Sequence, residues 1–238
     1  MLSLDHCPKC QSNHIVKAGF ASGKQRYRCK DCIHHFTVLR KSTKKDDKVK
    51  RMAVDMYLEG LGFRAIGRVL GISYGTVYQW IKQLGTAHQN TYNTNLHSDQ
   101  DDEAIDIVEL DEIHSYTKHK KNYCWTWIAI DRNTKQVLGF VCGKRDTKTF
   151  KKLYNKLNAS NIKLFCSDYW KSYQEIIPKR KHLKSKTQTF AIESYNSRIR
   201  HYLARFKRRT KCYSKCKKMV ENSLNLLFAK WNGRLSYV

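Results

Sequence analysis

Three acidic residues stand within a strongly basic stretch of the chain. Between residues 159 and 218 there are 17 lysines and arginines, whereas the acids are Asp168, Glu175 and Glu193. Basic residues at this density attract a polyphosphate, and carboxylates in the same surface repel it. Such carboxylates have a physical use when they hold divalent metal ions against phosphate oxygens. The pattern therefore predicts metal-dependent chemistry on nucleic acid.

The charge of the whole chain agrees with this prediction. Its 238 residues include 46 Lys and Arg against 20 acids, a formal charge of +26, and 41% hydrophobic residues, enough for a folded core. Nucleic acid is favoured over a membrane as partner, because no stretch approaches the roughly 20 apolar residues of a bilayer span. The first ten residues lack the apolar core of a signal peptide, so we expect a cytoplasmic protein.

Four cysteines near the N-terminus have the spacing of a metal site. Cys7 and Cys10 form one CxxC pair and Cys29 and Cys32 form another, and the segment 11–28 separates the pairs. Four thiolates so spaced can complete a tetrahedral zinc shell. One structural Zn²⁺ would stabilise a segment too short to fold on apolar burial alone. We predict a zinc-binding ribbon over residues 1–45, in which a nearby histidine could replace one cysteine.

Residues 46–85 have the pattern of a helix-turn-helix, with two short helices around a turn at residues 70–73. The predicted apolar core is Ile66, Val69, Ile72, Val77 and Ile81. The predicted DNA-facing residues are Tyr74, Thr76, Tyr78 and Gln79. An ordinary three-helix bundle is the alternative interpretation. Residues 86–104 are polar without apolar periodicity and are typical of a linker.

Residues 105–238 alternate strand and helix patterns. Three apolar strand-like runs, a helical run (DTKTFKKLYNKL), a fourth strand (IKLFCSD) and further helices follow in order. They predict an α/β domain with a mixed sheet flanked by helices. Asp111 falls near the end of the first predicted strand and Asp168 at the end of the fourth. Ends of neighbouring strands can bring such side chains together.

Glu193 belongs to a predicted amphipathic helix whose apolar residues are Ile192, Tyr195, Ile199, Tyr202 and Phe206. Glu193, Asn196 and Arg200 follow one another at positions i, i+3 and i+7 on an adjoining face. Three converging carboxylates can hold two Mg²⁺ or Mn²⁺ ions about 4 Å apart. The sequence therefore predicts that Asp111, Asp168 and Glu193 are catalytic metal ligands.

Several neighbouring residues admit two interpretations. Glu109 and Glu112 are either accessory ligands or charges at the rim of the site, and we predict rim charges. His114 could assist proton transfer, but a packing or solvated histidine is favoured. Trp170 and Tyr173 are predicted to pack beside the site rather than stack on bases. The predicted contacts to the DNA backbone are Asn196, Arg198, Arg200, Arg205, Lys207, Arg208 and Arg209.

Four stretches of the chain carry a family resemblance: VELDEI, CWTWIAIDRNTKQVLGFVCGKRD, SDYWKSY and IESYNSRIRHYLARFKRRTKCYSK. They resemble the transposases of the insertion-sequence-one family of bacterial mobile elements, whose zinc-binding and helix-turn-helix part is similar to residues 1–84. The resemblance implies a ribonuclease-H-like catalytic domain with an Asp-Asp-Glu triad. Asp111, Asp168 and Glu193 match that triad, and the segment 169–192 separates the last two.

From these features we expect a DNA transposase that binds the terminal inverted repeats of its element. Water would free a 3′-hydroxyl, and that hydroxyl would attack target DNA. The expected partner is double-stranded DNA, both element ends and target, in the bacterial nucleoid. Pairing two ends requires a homodimer or a higher oligomer. The alternatives are a DNA-binding regulator that uses only the segment 1–84, and a metal-dependent nuclease that never joins ends.

Overall fold

A computed structural model describes residues 6–37, 45–89, 91, 104–157 and 159–237. The chain divides into two compact units, residues 1–46 and residues 47–238. Within the described ranges, no helix combines the length and the apolar character that crossing a bilayer requires.

The first unit contains a three-stranded antiparallel sheet. Its strands are β1 (Ile15–Ala21), β2 (Lys24–Cys29) and β3 (His35–Thr37), with β2 in the centre. Ser22 and Gly23, both at positive φ, form the tight turn between β1 and β2. Cys29 ends β2, so the hairpin carries the second cysteine pair to the first.

The second unit opens with three helices, α1 (Asp47–Leu58), α2 (Phe63–Leu70) and α3 (Tyr74–Ala87). The turn between α2 and α3 follows from its residues. Gly71 adopts φ 61°, a left-handed conformation that ends α2, and the Ser73 side chain accepts a hydrogen bond from the Gly75 N–H (3.1 Å). α3 extends to Ala87, past the predicted end of this segment. Of the rest of the predicted linker, residues 90 and 92–103 lie outside the described residues.

One residue of the predicted helical core is placed differently. Ile66, Val77 and Ile81 are fully buried, and Ile72 packs against them, whereas Val69 is 62% exposed. The prediction for Val69 was wrong because α2 turns Val69 outward and buries Ile66 and Gly67 instead.

A five-stranded mixed sheet follows the helices. In spatial order its strands are β6 (Val137–Gly143), β5 (His119–Asp131), β4 (Ile105–Thr117), β7 (Ile162–Ser167) and β8 (His182–Lys184). β4, β5 and β6 are antiparallel neighbours, whereas β7 pairs in parallel with β4, and β8 in parallel with β7. Helices cover both faces, so the predicted mixed sheet flanked by helices is confirmed.

Each face of the sheet has its own core. On one face, α4 (Thr147–Tyr154) and α5 (Lys171–Ile176) pack over residues such as Leu110 and Trp127. On the other face lie α6 (Phe190–Tyr202) and α7 (Lys217–Trp231), together with α1–α3. Because both faces are covered, β4 is a largely buried central strand.

The three N-terminal helices share the second core rather than enclosing one of their own. The Tyr57 hydroxyl of α1 donates to Ser223 Oγ of α7 (2.7 Å), and the Asn225 amide of α7 donates to the Gly85 carbonyl of α3 (2.9 Å). α7 also packs on β6, where Phe228 meets Phe140 edge-on. Residues 47–87 and the sheet therefore form one compact unit.

Candidate active site

The parallel pairing of β4 with β7 aligns the two aspartates. Glu109 of β4 lies opposite Cys166 of β7. Asp111 lies two residues after Glu109. Asp168 lies two residues after Cys166 and directly follows β7. Residues in register on parallel strands project from the same face, so the topology brings Asp111 and Asp168 together. Asp111 lies at the middle of β4, however, and not near its end as predicted, because β4 continues to Thr117.

The electrostatics of Asp111 reflect this crowding. The side chain is half-buried. Burial, followed by the charges of Glu112 and Asp168, raises the pKa of Asp111 to about 7. A site where negative charges accumulate in a partly desolvated environment is electrostatically suited to a cation.

Helix α6 brings the third carboxylate towards this site. The Asn196 amide Nδ2 donates to Asp111 Oδ2 (2.7 Å), which fixes one face of α6 against β4. Glu193 lies three residues earlier and so on the same face, where it is exposed and Oε1 accepts a hydrogen bond from Thr189 Oγ1 (3.3 Å). Among the described residues, only the four N-terminal cysteines bring three or more His, Cys, Asp or Glu ligand atoms within 4.8 Å of one another. The three carboxylates are therefore arranged more loosely than a closed metal shell.

The donor set around Asp111 fits a hard divalent cation. Carboxylate oxygens are the ligands that Mg²⁺ and Mn²⁺ prefer. Beside them, the buried Asn196 Oδ1 has no hydrogen-bond partner among the described residues. An acceptor in this position is suited to the coordinated water of a hydrated ion.

Glu109 anchors the start of α6. It is fully buried, and its Oε1 accepts a hydrogen bond from Arg132 Nε (2.6 Å) while its Oε2 accepts one from the Ile192 N–H at the first turn of α6 (2.9 Å). Arg132 also donates to the side chain of Gln188 (2.9 Å) and to its carbonyl. This pair joins β4, the residue that follows β5 and the segment before α6, and so determines the positions of Glu193 and Asn196.

Glu112 is buried on the opposite face of β4. Its Oε1 pairs with Arg145 Nε (2.6 Å), and its Oε2 accepts a hydrogen bond from the Tyr173 hydroxyl (2.6 Å). The prediction that Glu109 and Glu112 are rim charges was wrong, because helices cover both faces of the sheet. Alternation along a strand identifies the face of each residue, but it does not give the depth.

Two of the residues predicted to contact DNA are buried. The Asn196 amide donates its hydrogen bond to Asp111. The Arg205 guanidinium is enclosed by the rings of Tyr57 and Phe63, and it donates to the Met219 carbonyl (3.1 Å) and to Ser214 Oγ. Arg205 turns inward because α6 ends at Tyr202, and a 3₁₀ turn at Ala204–Phe206 replaces the longer helix predicted from the apolar spacing.

The other basic residues of this region are more accessible. Lys207, Arg208 and Arg209 are exposed, and Arg200 is half-buried near Asp111, with burial and then Arg208 lowering its pKa. Arg198 is exposed but stacks on Trp231 (4.4 Å to the ring centroid).

The outer face of the helix-turn-helix holds most of its predicted DNA-facing residues. Tyr74 and Gln79 are exposed and Thr76 is half-buried. Tyr78 is half-buried against Phe63, edge to face at 5.8 Å, so its ring contributes to the core.

The four predicted zinc ligands converge in the first unit. Cys7 Sγ lies 3.6 Å from Cys32 Sγ, and Cys10 Sγ lies 3.6 Å from Cys29 Sγ. A tetrahedral shell with Zn–S bonds of about 2.3 Å places its sulfurs about 3.8 Å apart, so the thiols fit zinc. The Cys32 N–H donates to the Cys29 sulfur and lowers the pKa of Cys29 to about 6, although burial acts in the opposite direction. This favours the thiolate of Cys29. The pKa of Cys10 is instead raised to about 12, because the Ser12 N–H lowers it less than the Cys32 thiol, burial and the other two thiols raise it.

Comparisons with known families match all three parts of the chain. The sequence model of the IS1 transposase matches residues 104–230, that of the homeodomain-like domain residues 44–86, and that of the InsA N-terminal domain, a zinc ribbon, residues 3–33.

Individual relatives agree with these matches. The insertion element iso-IS1n protein InsB of Shigella dysenteriae is 35% identical over 124 residues, which are 52% of this chain and 95% of the relative. The insertion element IS1 4 protein InsB of Escherichia coli strain K12 is 32% identical over 113 residues, 48% of this chain and 68% of the relative. A solved pre-cleavage Mos1 transpososome aligns over 85% of this chain and 81% of its own, at 9% identity and a TM-score of 0.30.

Proposed function

The chain belongs to the IS1 transposase family, and from that membership we propose that it binds the terminal inverted repeats of a mobile element, cleaves strands at the ends and joins the freed 3′-hydroxyl to target DNA. The observation that carries this proposal is the alignment of Asp111 with Asp168 under α6, where crowding raises the pKa of Asp111 to about 7. The three antiparallel strands followed by two parallel ones support a ribonuclease-H-like fold for residues 105–238.

In this proposal Asp111, Asp168 and Glu193 are the metal ligands. Mg²⁺ or Mn²⁺, when bound as a pair, would stabilise the attacking and leaving oxygens of an in-line phosphoryl transfer. The positions of Asp111 and Asp168 are fixed relative to each other, because β4 pairs with β7. Glu193 comes from α6, whose position depends on the contact of Asn196 with Asp111 and on the anchor at Glu109.

DNA recognition is assigned to the N-terminal parts. We propose that the zinc-loaded ribbon and the helix-turn-helix bind the element ends, with Tyr74, Thr76 and Gln79 on the face of α3 that enters the major groove. Lys207, Arg208 and Arg209 contact the phosphates, and two copies of the chain hold two ends together. Contacts of these lysine and arginine side chains with phosphates contribute affinity that does not depend on the DNA sequence.

A regulator made of the segment 1–84 alone is less well supported. The apolar side chains of α1–α3 pack against α6 and α7, so a chain ending at Leu84 leaves that surface uncovered. The helix-turn-helix therefore depends on the C-terminal part for its core.

The proposal is tested by a strand-transfer assay on the labelled ends of the element, with Mg²⁺. We expect joined products from the wild type and no detectable cleavage or joining from Asp168→Asn or Glu193→Gln, with binding to the ends retained. Glu175→Gln is the matched control: it removes a carboxylate of the same basic region that is bonded instead to Thr147 and Lys171 on the surface.

Three outcomes would overturn parts of the proposal. Cleavage without joining identifies a nuclease. Specific binding with no cleavage in Mg²⁺ or Mn²⁺ identifies a regulator. Equal activity of Glu193→Gln and Glu175→Gln removes Glu193 from the site.

A further inference from the structure

Strands β4 and β5 continue past the other strands as a two-stranded hairpin. β7 accompanies β4 only as far as Glu109, and β6 accompanies β5 only from Trp125 onwards. The hairpin is nevertheless held in place from one side. Ser115 Oγ donates to the Arg205 carbonyl (2.8 Å), and the Lys118 N–H donates to the Ser214 carbonyl (3.0 Å).

One face of this hairpin is aromatic. His114 lies opposite Trp125 and Tyr116 lies opposite Tyr123, so the four rings form a block, which we call the aromatic face. Neighbouring ring centroids are 4.9 to 5.7 Å apart for His114–Trp125, Tyr116–Tyr123, His114–Tyr123 and His114–Tyr116. Tyr123 is 55% exposed, which presents the ring to solvent.

Positive charge surrounds the aromatic face. Lys118, His119, Lys120 and Lys121 at the tip of the hairpin are exposed. At the other end, the Arg145 guanidinium lies over the Trp125 ring (4.9 Å). Burial, and then Arg200, Arg145 and Arg208, lowers the pKa of His114, which favours the uncharged ring in this basic surface.

The aromatic face lies on the side of the sheet that carries Glu112, because His114 and Tyr116 come three and five residues after Asp111 on the same strand. Arg145 connects this face with Asp168. Its guanidinium, which covers Trp125, lies 3.8 Å from the centroid of the Trp170 ring, and the Trp170 backbone N–H donates to Asp168 Oδ1 (2.9 Å). The aromatic face therefore borders the Asp168 end of the site, on the side of the sheet opposite α6.

We propose that the aromatic face binds unpaired bases of a DNA strand that passes the Asp168 end of the site, with bases stacked on Tyr123 and phosphates held by Lys120 and Lys121. Aromatic rings within a basic surface are the combination that single-stranded nucleic acid requires. Paired bases inside a duplex are already stacked on one another and offer these rings no free surface. The inference rests on the proposed function, since it assumes that DNA reaches Asp168.

The test compares two probes with the full zinc-loaded chain, without added Mg²⁺ or Mn²⁺ so that no strand is cut, and without a chelator that would remove the zinc. One probe is a blunt fluorescein-labelled duplex carrying an element end, and the other is the same duplex with four unpaired thymidines. Stacking contributes about 1–3 kcal/mol per base, so we expect the overhang to lower the Kd about fivefold or more, as measured by anisotropy. Tyr123→Ala and Tyr123→Leu should abolish that advantage, whereas Tyr123→Phe keeps it. Circular dichroism confirms that each variant is folded.

Two results would overturn the inference. The first is an overhang that gives no advantage, or an advantage that Tyr123→Leu retains. The second is a Tyr123→Ala chain that changes its sedimentation while binding both probes as the wild type does, which would assign the face to a second copy of the chain. Because the assay needs neither Mg²⁺ nor strand cleavage, a chain that prefers the overhang but never joins strands contradicts the proposed function alone.

Discussion

The Asp111 carboxylate is held in the folded chain at an electrostatic cost. Its pKa rises from the ordinary 3.8 to about 7 in the folded protein, because burial and then the charges of Glu112 and Asp168 oppose ionisation. The folded state therefore binds the proton more tightly than the unfolded state. The stability that this group contributes is fully present below about pH 4 and is lost as the pH rises through about 7.

The raised pKa of Asp111 leads to a prediction for metal binding. A divalent ion must displace the proton from Asp111, so Mn²⁺ should raise the Tm little at about pH 5.5 and more at about pH 8. At a metal concentration a hundred times the Kd, the free energy of unfolding should increase by about 2.7 kcal/mol. Thermal unfolding with and without Mn²⁺ measures this increase.

Asp111→Asn is the control for this measurement. The variant should lose the pH-dependent part of the Mn²⁺ effect and should be more stable than the wild type at about pH 8 without metal. An equal Mn²⁺ effect in the variant and the wild type would place the ion elsewhere.

For single residues, the sequence indicates which side chains can do chemistry, but it does not indicate how deeply they and their neighbours are buried. The types and spacing of Asp111, Asp168 and Glu193 were sufficient to single them out, although their roles stay a prediction. The burial of Glu109 and Arg205 could not be predicted, since each depends on contacts between distant segments. A charged residue in an apolar strand next to a catalytic candidate was the available signal for Glu109.

Among the elements, α3 and α7 approach each other closely at a glycine. A Cβ added at Gly85 would lie 2.4 Å from the Asn222 carbonyl oxygen and 2.7 Å from the Asn222 Cβ. Backbone cannot yield at such distances without moving a helix. Gly85 is therefore required for packing although its helix would otherwise favour alanine.

Gly85→Ala should consequently destabilise the protein by about 1–3 kcal/mol or more, as an overpacked core does. Gly75→Ala, in the same helix, is the matched control. The added Cβ there meets only Ser73 Oγ at 3.4 Å, an ordinary contact, so we expect no loss of stability and a gain of up to about 1 kcal/mol from helix propensity. Urea unfolding followed by circular dichroism separates the two, and equal stabilities would contradict the helix contact.

Helices and strands were predicted correctly where the segment has its own apolar period or a glycine or capping residue at its end. Gly71 and Ser73 mark the turn of the helix-turn-helix, and the strands β4–β7 were visible as apolar runs. β8, with three residues, is too short to show a period. The extension of β4 to Thr117 depends on its partner β5 and not on local pattern, since His114 and Tyr116 are polar or amphipathic residues in a half-covered hairpin.

For the whole molecule, the charge of +26 should dominate the affinity for DNA. Each phosphate contact contributes about 0.9 to the slope of log Kd against log salt concentration. Replacing Arg208 and Arg209 by Gln should therefore reduce that slope by about 2, with similar losses for specific and random duplexes. Anisotropy titrations over a range of salt concentrations measure the slope.

Lys151 and Lys152 on α4 provide the matched pair for this measurement. Both are exposed on the opposite face of the sheet from α6, so their replacement by Gln changes the net charge equally and should leave the slope nearly unchanged. An equal reduction in both double variants would show that net charge, rather than local contact, sets the affinity.

The position of α7 also determines when the protein can fold. A ribosome makes α1–α3 well before α7, yet α7 packs on α3 and on β6. During synthesis the apolar faces of the first three helices therefore stay uncovered until α7 has been made. We therefore expect a polypeptide that stops before α7 to expose these apolar faces, which are the kind of surface that chaperones and proteases recognise.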